Sequence, residues 1–258
     1  MRVTFLGTGT SQGVPLIGCT CAVCASADPR DHRLRVSVLV ETHGRTLLID
    51  AGPDLRQQLL RAGVKDLDAV LLTHEHTDHM LGMDDLRPIS FAHQPPKPVP
   101  IYADEPTLRA VRRVYAYAFD ERKYPGVPEF DLRPISRAPF EVGGINVVPV
   151  EVMHMRMPVL GFRIGAFAYI TDAKTIAPAE LDKLRGVDTL VVNALRVAPH
   201  YSHMNIAEAL AVVDEVRPRQ AWFTHVSHLM GLHAVVNAKL PPHARLAHDQ
   251  LVIEVTGS

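Results

Sequence analysis

The sequence predicts one mixed α/β domain over residues 1–258. Short apolar runs recur between Gly, Pro and Asp breaks, as strands do, while fewer, longer amphipathic stretches carry helix-start and helix-stop residues. No composition shift, fixed-period repeat or low-complexity tract marks a linker, and QPPKPVP (94–100) reads as one short loop. A chain of 258 residues lies within the size that a single α/β unit reaches.

In chain order, the first predicted strand covers 3–6 and runs into GTGTSQG (7–13). That loop does not fit GxxxxGK[ST] and no Lys follows, so it reads as a tight turn rather than a phosphate loop, with Ser11 and Gln12 free to contribute to substrate binding. Strands at 36–41 and 46–49 flank ETHGRT, a hairpin turn. DLRQQLLRAG is a helix with Asp54 as N-cap and Gly63 as stop. Strands follow at 69–72 and 99–102. Asp104 and Pro106 open a helix that extends through Phe119. The stretch at 109–124 fits a pocket wall, a dimer contact or a solvated amphipathic helix. Further strands are predicted at 145–152, 161–164, 168–170, 189–192, 221–223 and 251–255. Asn205, with Glu208 three residues on, caps a helix that ends before Pro218, and a last helix is predicted at 229–240.

Charge narrows the partners. The 27 Lys+Arg against 28 Asp+Glu give a net charge of -1, which exerts no global pull on nucleic acid or membrane. The 47% hydrophobic and 21% charged residues exclude disordered and fibrous classes. MRVTFLGTGTS enters a strand without an apolar leader, and no run approaches the roughly 18–20 residues of a membrane span, so the expected address is the cytoplasm.

The chemistry concentrates in AVLLTHEHTDHMLG. An apolar strand ends at Thr73, and His74, His76, Asp78 and His79 follow within six residues. An extended segment alternates its side chains, so His74 and His76 can face one metal, while Asp78 and His79 can turn toward a second as a helix begins. Imidazole with carboxylate suits Zn, Mn, Fe or Ni better than Ca or Mg. Glu75 and Thr77 are out of phase and fit supporting or helix-start positions.

HxHxDH after a strand resembles the metallo-β-lactamase-fold superfamily. The resemblance implies a four-layer αββα sandwich and a two-metal hydrolytic site completed by His154 in VEVMHM, Asp172 in FAYITDAK and His225 in WFTHVSH. On that pattern His74, His76 and His154 bind one metal, Asp78, His79 and His225 the other, and Asp172 bridges both. Asp50 in LIDAG supports the metal-binding loop, and Asp78 also counts as catalytic. Two divalent ions (Zn or Mn) and a metal-bridging hydroxide are implied.

The three cysteines, Cys19, Cys21 and Cys24, sit in one loop at 18–25. Their odd number and tight spacing exclude a disulfide framework, and their softness suits a structural Zn that needs a fourth ligand, for which His228 is the candidate. CxCxxC in this context resembles the PhnP branch of cyclic phosphodiesterases, where three cysteines and a late His hold a structural zinc, and also PqqB proteins, which typically lack an intact catalytic cluster. This chain keeps HxHxDH.

The expected function is therefore metal-dependent phosphodiester hydrolysis on a small or cyclic phosphate ester. His203, just before the Asn205 cap, is the candidate general acid, with His200 as the backup. The alternatives are a tRNase Z-like nuclease, a PqqB-like accessory protein and a glyoxalase II-like thioesterase. The neutral charge balance and the lack of a long basic insertion argue against nucleic acid as partner. A homodimer is implied by resemblance alone. The remaining histidines, His32, His43, His93, His233, His243 and His248, have no motif around them and read as surface or loop residues.

Overall fold

The structure, a computed structural model, describes residues 1–122 and 124–256. The first half contributes β1 (Arg2–Gly7), β2 (Ser37–Thr42), β3 (Arg45–Ile49), α1 (Leu55–Ala62), β4 (Ala69–Leu71), α2 (Thr77–Met80), α3 (Arg87–Phe91), β5 (Val99–Ala103), α4 (Glu105–Val114) and β6 (Phe130–Pro134). The second half contributes β7 (Phe140–Val142), β8 (Ile145–His154), β9 (Met157–Ile164), β10 (Phe167–Tyr169), β11 (Thr175–Ile176) and α5 (Pro178–Asp182). It ends with β12 (Thr189–Asn193), α6 (Ile206–Val216), β13 (Gln220–Thr224), α7 (His233–Asn237), β14 (Ala244–Leu246) and β15 (Val252–Glu254).

Two mixed sheets result. One runs β15-β1-β2-β3-β4-β5-β6; the other runs β11-β8-β9-β10-β12-β13-β14, with β7 paired to β8. Period-two patterning explains why both faces of each sheet are covered. In the first sheet, Leu47, Ile49, Ala69 and Leu71 point to a core shared with the second sheet, while Leu48, Val70 and Leu72 point out to residues from α1, α3 and α4. In the second sheet, Phe167, Tyr169 and Val191 face that shared core, while Ala168, Ile170, Leu190 and Val192 pack with α5 and α6. The architecture is the four-layer αββα sandwich.

Most elements lie where the sequence predicts them. His43 and Gly44 both have positive φ in the β2–β3 turn, and the capping box of Asn205 with Glu208 is complete on α6. Strands β6, β7, β11 and β14 were not predicted. They are edge or near-edge segments of two to five residues, several with polar or Pro-containing sequences that give little periodic signal. The helix predicted at 229–240 is interrupted: a 3-10 turn at His228–Met230 stops at Gly231, whose φ of 103 no helix accepts, and α7 begins only at His233. His233 itself is 2% exposed, so its reading as a surface or loop residue is corrected: Arg33 Nη2 donates to its Nδ1 across 3.1 Å, and Asp31 Oδ1 accepts from its backbone N–H. The helix predicted through Phe119 ends at Val114 and is followed by a 3-10 turn at Ala116–Ala118; α4 is amphipathic, with Leu108 and Val111 buried and Arg109, Arg112 and Arg113 exposed. Among the described residues, no helix is long and apolar enough to cross a membrane.

Candidate metal centre

The ends of several strands converge on one edge of the sandwich. Asp50 follows β3, His74 to His79 follow β4, His154 ends β8, Asp172 follows β10 and His225 follows β13. Asp50, Asp172 and His225 all adopt left-handed backbone, at φ 63, 55 and 56. That conformation is costly for non-glycine residues and turns each side chain sharply out of its strand direction. The helix bearing Asp78 and His79 packs tightly on the β3–α1 loop, because a Cβ at Gly52 would collide with the Asp78 carbonyl.

These side chains meet in compact groups. Asp78, His79 and His225 form one, His74, His79 and Asp172 a second, and His154, Asp172 and His203 a third. His79 Nε2 is 3.2 Å from Asp78 Oδ2 and 3.2 Å from Asp172 Oδ2, and His225 Nε2 is 3.3 Å from Asp172 Oδ1. The rings of His74 and His76 are 4.6 Å apart, those of His76 and His154 5.3 Å, and those of His74 and His154 6.2 Å. Every residue expected from the sequence as a catalytic-metal ligand therefore lies in this cluster. His203 joins it through Nε2, 2.9 Å from Asp172 Oδ1. His200 stands one step out, with Nδ1 3.4 Å from His203 Nδ1.

The donor set fits divalent cations. His74 Nε2, His79 Nε2 and His225 Nε2 are buried with no hydrogen-bond partner, whereas buried polar groups nearly always find one. The opposite nitrogens of several rings are committed. His79 Nδ1 is 2.7 Å from Asp50 Oδ2, His74 Nδ1 is 3.0 Å from Thr73 Oγ1, and His154 Nδ1 is 2.9 Å from the Ser202 carbonyl. An N–H on each Nδ1 donates to these oxygens and leaves the Nε2 lone pair free, the tautomer a metal requires. Donor separations of 3.2–3.3 Å compare with about 3.3–3.6 Å expected between tetrahedral ligands at 2.0–2.2 Å from one ion.

The electrostatics agree. Burial works against charge on Asp172, yet His225 and His79 beside it hold its carboxyl well below the usual range. Burial also opposes charge on His79, and Asp50, Asp172 and Asp78 outweigh it, lifting that imidazole well above its ordinary value. His74, buried and next to His79, is held well below. A divalent cation held among these groups would balance the same carboxylates.

A second compact group joins Cys19, Cys21, Cys24 and His228. The sulfurs lie 3.4, 3.4 and 3.6 Å from His228 Nδ1. Tetrahedral zinc with Zn–S of about 2.3 Å and Zn–N of about 2.0 Å sets ligands about 3.5 Å apart. The Cys24 amide and His228 lower the Cys21 thiol to about 6, so it is largely thiolate at neutral pH, the form that binds metal.

Three supporting residues carry no sequence signal. The Thr73 hydroxyl lies 3.0 Å from both Asp50 oxygens as well as His74 Nδ1. Ser202 presents its carbonyl to His154 and its hydroxyl, at 2.9 Å, to His203 Nδ1. The Ser227 hydroxyl donates to the Leu195 carbonyl beside His225. Glu75 is exposed and sits 3.8 Å from Arg113, and Thr77 starts α2. A cavity of about 440 Å³ opens over the cluster, lined by Thr10, Ser11 and Gln12 on one side and by His200, Tyr201 and Leu229 on another.

The beta-lactamase superfamily domain matches residues 45–226, more than half of the chain. The crystal structure of a diphosphatase from the PhnP family superposes with a TM-score of 0.92 at 40% identity, over 98% of this chain and 97% of that one. The chain belongs to the metallo-β-lactamase-fold superfamily and is PhnP-like. This PhnP-like chain is also 41% identical over 254 residues to an octanoyltransferase of Porphyromonas gingivalis, covering 97% of this chain and 51% of the other. It is 31% identical over 162 residues to a ribonuclease Z of Bradyrhizobium diazoefficiens, covering 62% of this chain and 48% of the other. It thus spans about half the length of these curated relatives.

Proposed function

We propose that this chain is a dinuclear metal-dependent phosphodiesterase acting on a small phosphate ester. His74, His76 and His154 would hold one ion, Asp78, His79 and His225 the other, and Asp172 both. Divalent ions in such a set supply Lewis acidity, which activates water near neutral pH and neutralises charge on a phosphoryl group. Cys19, Cys21, Cys24 and His228 would hold a separate structural zinc.

The observation that carries the reading is the place of His203. An imidazole outside the expected ligand set reaches Asp172 Oδ1 at 2.9 Å and lines the open cavity. In hydrolysis the water oxygen, having lost a proton to solvent, bonds to phosphorus, and the P–O bond to the leaving group breaks, its electron pair going to the leaving oxygen. In this reading His203, held by Ser202 Oγ at Nδ1, gives that oxygen its proton. Thioester hydrolysis releases a thiolate that needs no such acid. A tRNA substrate would call for a basic track, and Arg196 is the one Lys or Arg on the described cavity lining. The likeness to a PhnP-family diphosphatase favours a second reading, in which the bond cleaved is the phosphoanhydride of a small diphosphate.

The test is release of p-nitrophenol from bis(p-nitrophenyl) phosphate by protein loaded with Mn or Zn. Turnover is expected, with loss on chelation and in Asp78→Ala. His203→Ala should lower kcat by about 10²–10⁴-fold with metal content unchanged. Absence of phosphoester and diphosphate turnover with any divalent ion, alongside brisk thioester cleavage, overturns the reading.

A further inference from the structure

The lining of the cavity over the His/Asp cluster mixes two kinds of group: Asp78, Asp172 and the histidines, and the apolar Leu16, Leu195, Tyr201 and Leu229. Tyr201 is 72% exposed and Leu229 55%. A single exposed apolar residue is ordinary on a protein surface; here both line the wall of the reaction cavity. The aromatic groups form a series leading outward. The His203 ring lies 5.3 Å from that of His200, and the His200 ring 4.4 Å from Tyr201 at a 30° tilt. Tyr201 therefore rests on a ring tied to the reacting centre and still presents most of its surface to an incoming ligand.

We infer that Tyr201 is a stacking platform for a planar base, so that the substrate is a mononucleotide-type ester or diphosphate with a nucleoside on one side of the scissile phosphate. This rests on the phosphoryl-hydrolase reading above. Every nucleobase offers a π-face, and aromatic side chains are the usual surface for it. The exposed Ser11 and Gln12 line the same cavity, with a hydroxyl and an amide for a ribose or a base edge. A strand of RNA is disfavoured, because Arg196 spends its guanidinium on the carbonyls of Ala198 and Pro199, at 3.2 and 2.6 Å. A cavity of about 440 Å³ suits one small molecule.

The experiment compares adenosine 5′-(methyl phosphate) with ribose 5-(methyl phosphate), which share the scissile linkage and differ only in the base, using Mn-loaded protein. The base-bearing ester is expected to have a KM lower by about tenfold. Tyr201→Ala should erase that preference and Tyr201→Phe keep it. In parallel, calorimetry should show AMP binding more tightly than ribose 5-phosphate, again only while residue 201 is aromatic. Equal KM values and equal product affinities in the unaltered protein overturn the platform while leaving phosphoester hydrolysis standing. If neither ester is cleaved but AMP binds in a Tyr201-dependent way, the platform stands and the hydrolase reading falls. If Tyr201→Ala instead changes the oligomeric state and spares the preference, the exposed Tyr201 is a subunit contact and the inference is overturned.

Discussion

An imidazole can bind a metal through either nitrogen, so a hydrogen bond at one nitrogen decides which of the two is left to face an ion. At His79 that occupant is Asp50, fully buried, its carboxylate turned out of β3 by a left-handed backbone and 2.7 Å from Nδ1. The same carboxylate takes the Thr73 hydroxyl, whose oxygen lies 3.0 Å from His74 Nδ1. One buried carboxylate therefore sets two rings. Asp50→Asn keeps the shape and removes the charge, and an amide can present an N–H where an acceptor is needed. We expect metal affinity to fall about 10–100-fold, read by titrating the metal-free protein and following bound ion by elemental analysis, with far-UV circular dichroism unchanged. Affinity equal to that of the unaltered chain would count against the role. The clustering of these side chains was legible because HxHxDH packs four of them into six residues, and the later three follow apolar strands in the order the resemblance implies. Thr73 and Ser202 were not legible. They act through contacts to Asp50 and His154 at sequence separations of 23 and 48, which no local pattern encodes.

Loops rather than helices or strands hold the site together. The N-terminal loop and the segment after β13 are stitched by the Val226 N–H to the Thr8 carbonyl at 2.9 Å and the Thr10 N–H to the Val226 carbonyl at 3.1 Å. The Cys19–Cys24 loop meets His228 two residues beyond Val226, so zinc there would lock the same two loops a second time just past His225. Cys21→Ser removes one ligand and the thiolate that is ready at neutral pH. The expected result is a fall in Tm of roughly 5–10 °C, together with reduced occupancy of the catalytic metals. Unchanged melting and full catalytic metal content would sever the link between the loops and His225. The same contrast explains which elements the sequence revealed. Central strands such as β3, β4 and β12 are buried on both faces and read as apolar runs. β6 is a half-exposed edge strand with Asp131, Arg133 and Pro134, and its pattern resembles a loop. The break at Gly231 was missed because the residues on either side keep helical spacing.

Across the whole molecule, the first sheet's N-terminal loop, the segment before β2 and the C-terminal layer are joined by a buried polar knot that includes Thr8, whose carbonyl accepts from Val226 beside His225. Arg33 donates to the Thr8 hydroxyl at 2.8 Å, to the Ala247 carbonyl and to His233 Nδ1. Asp249 accepts from the Thr8 and Leu34 amides at 2.9 and 2.7 Å. His233 is the member whose protonation the fold resists. Burial first, then the neighbouring Arg33, Arg30 and His248, outweigh Asp31 and lower its imidazole to about 4. An unfolded histidine titrates near 6.5. Between those values the unfolded chain binds a proton that the folded chain refuses, so this group's contribution is complete above about pH 6.5 and is lost as pH falls toward 4. The full loss is about 3 kcal/mol. His233→Gln keeps a polar side chain without the titration. The unfolding free energies of the two proteins, from urea titrations at pH 7 and pH 4.5, should therefore converge at the lower pH, with the unaltered chain losing about 2–3 kcal/mol more than the variant. A gap that stays constant between the two pH values would mean that His233 accepts its proton inside the fold.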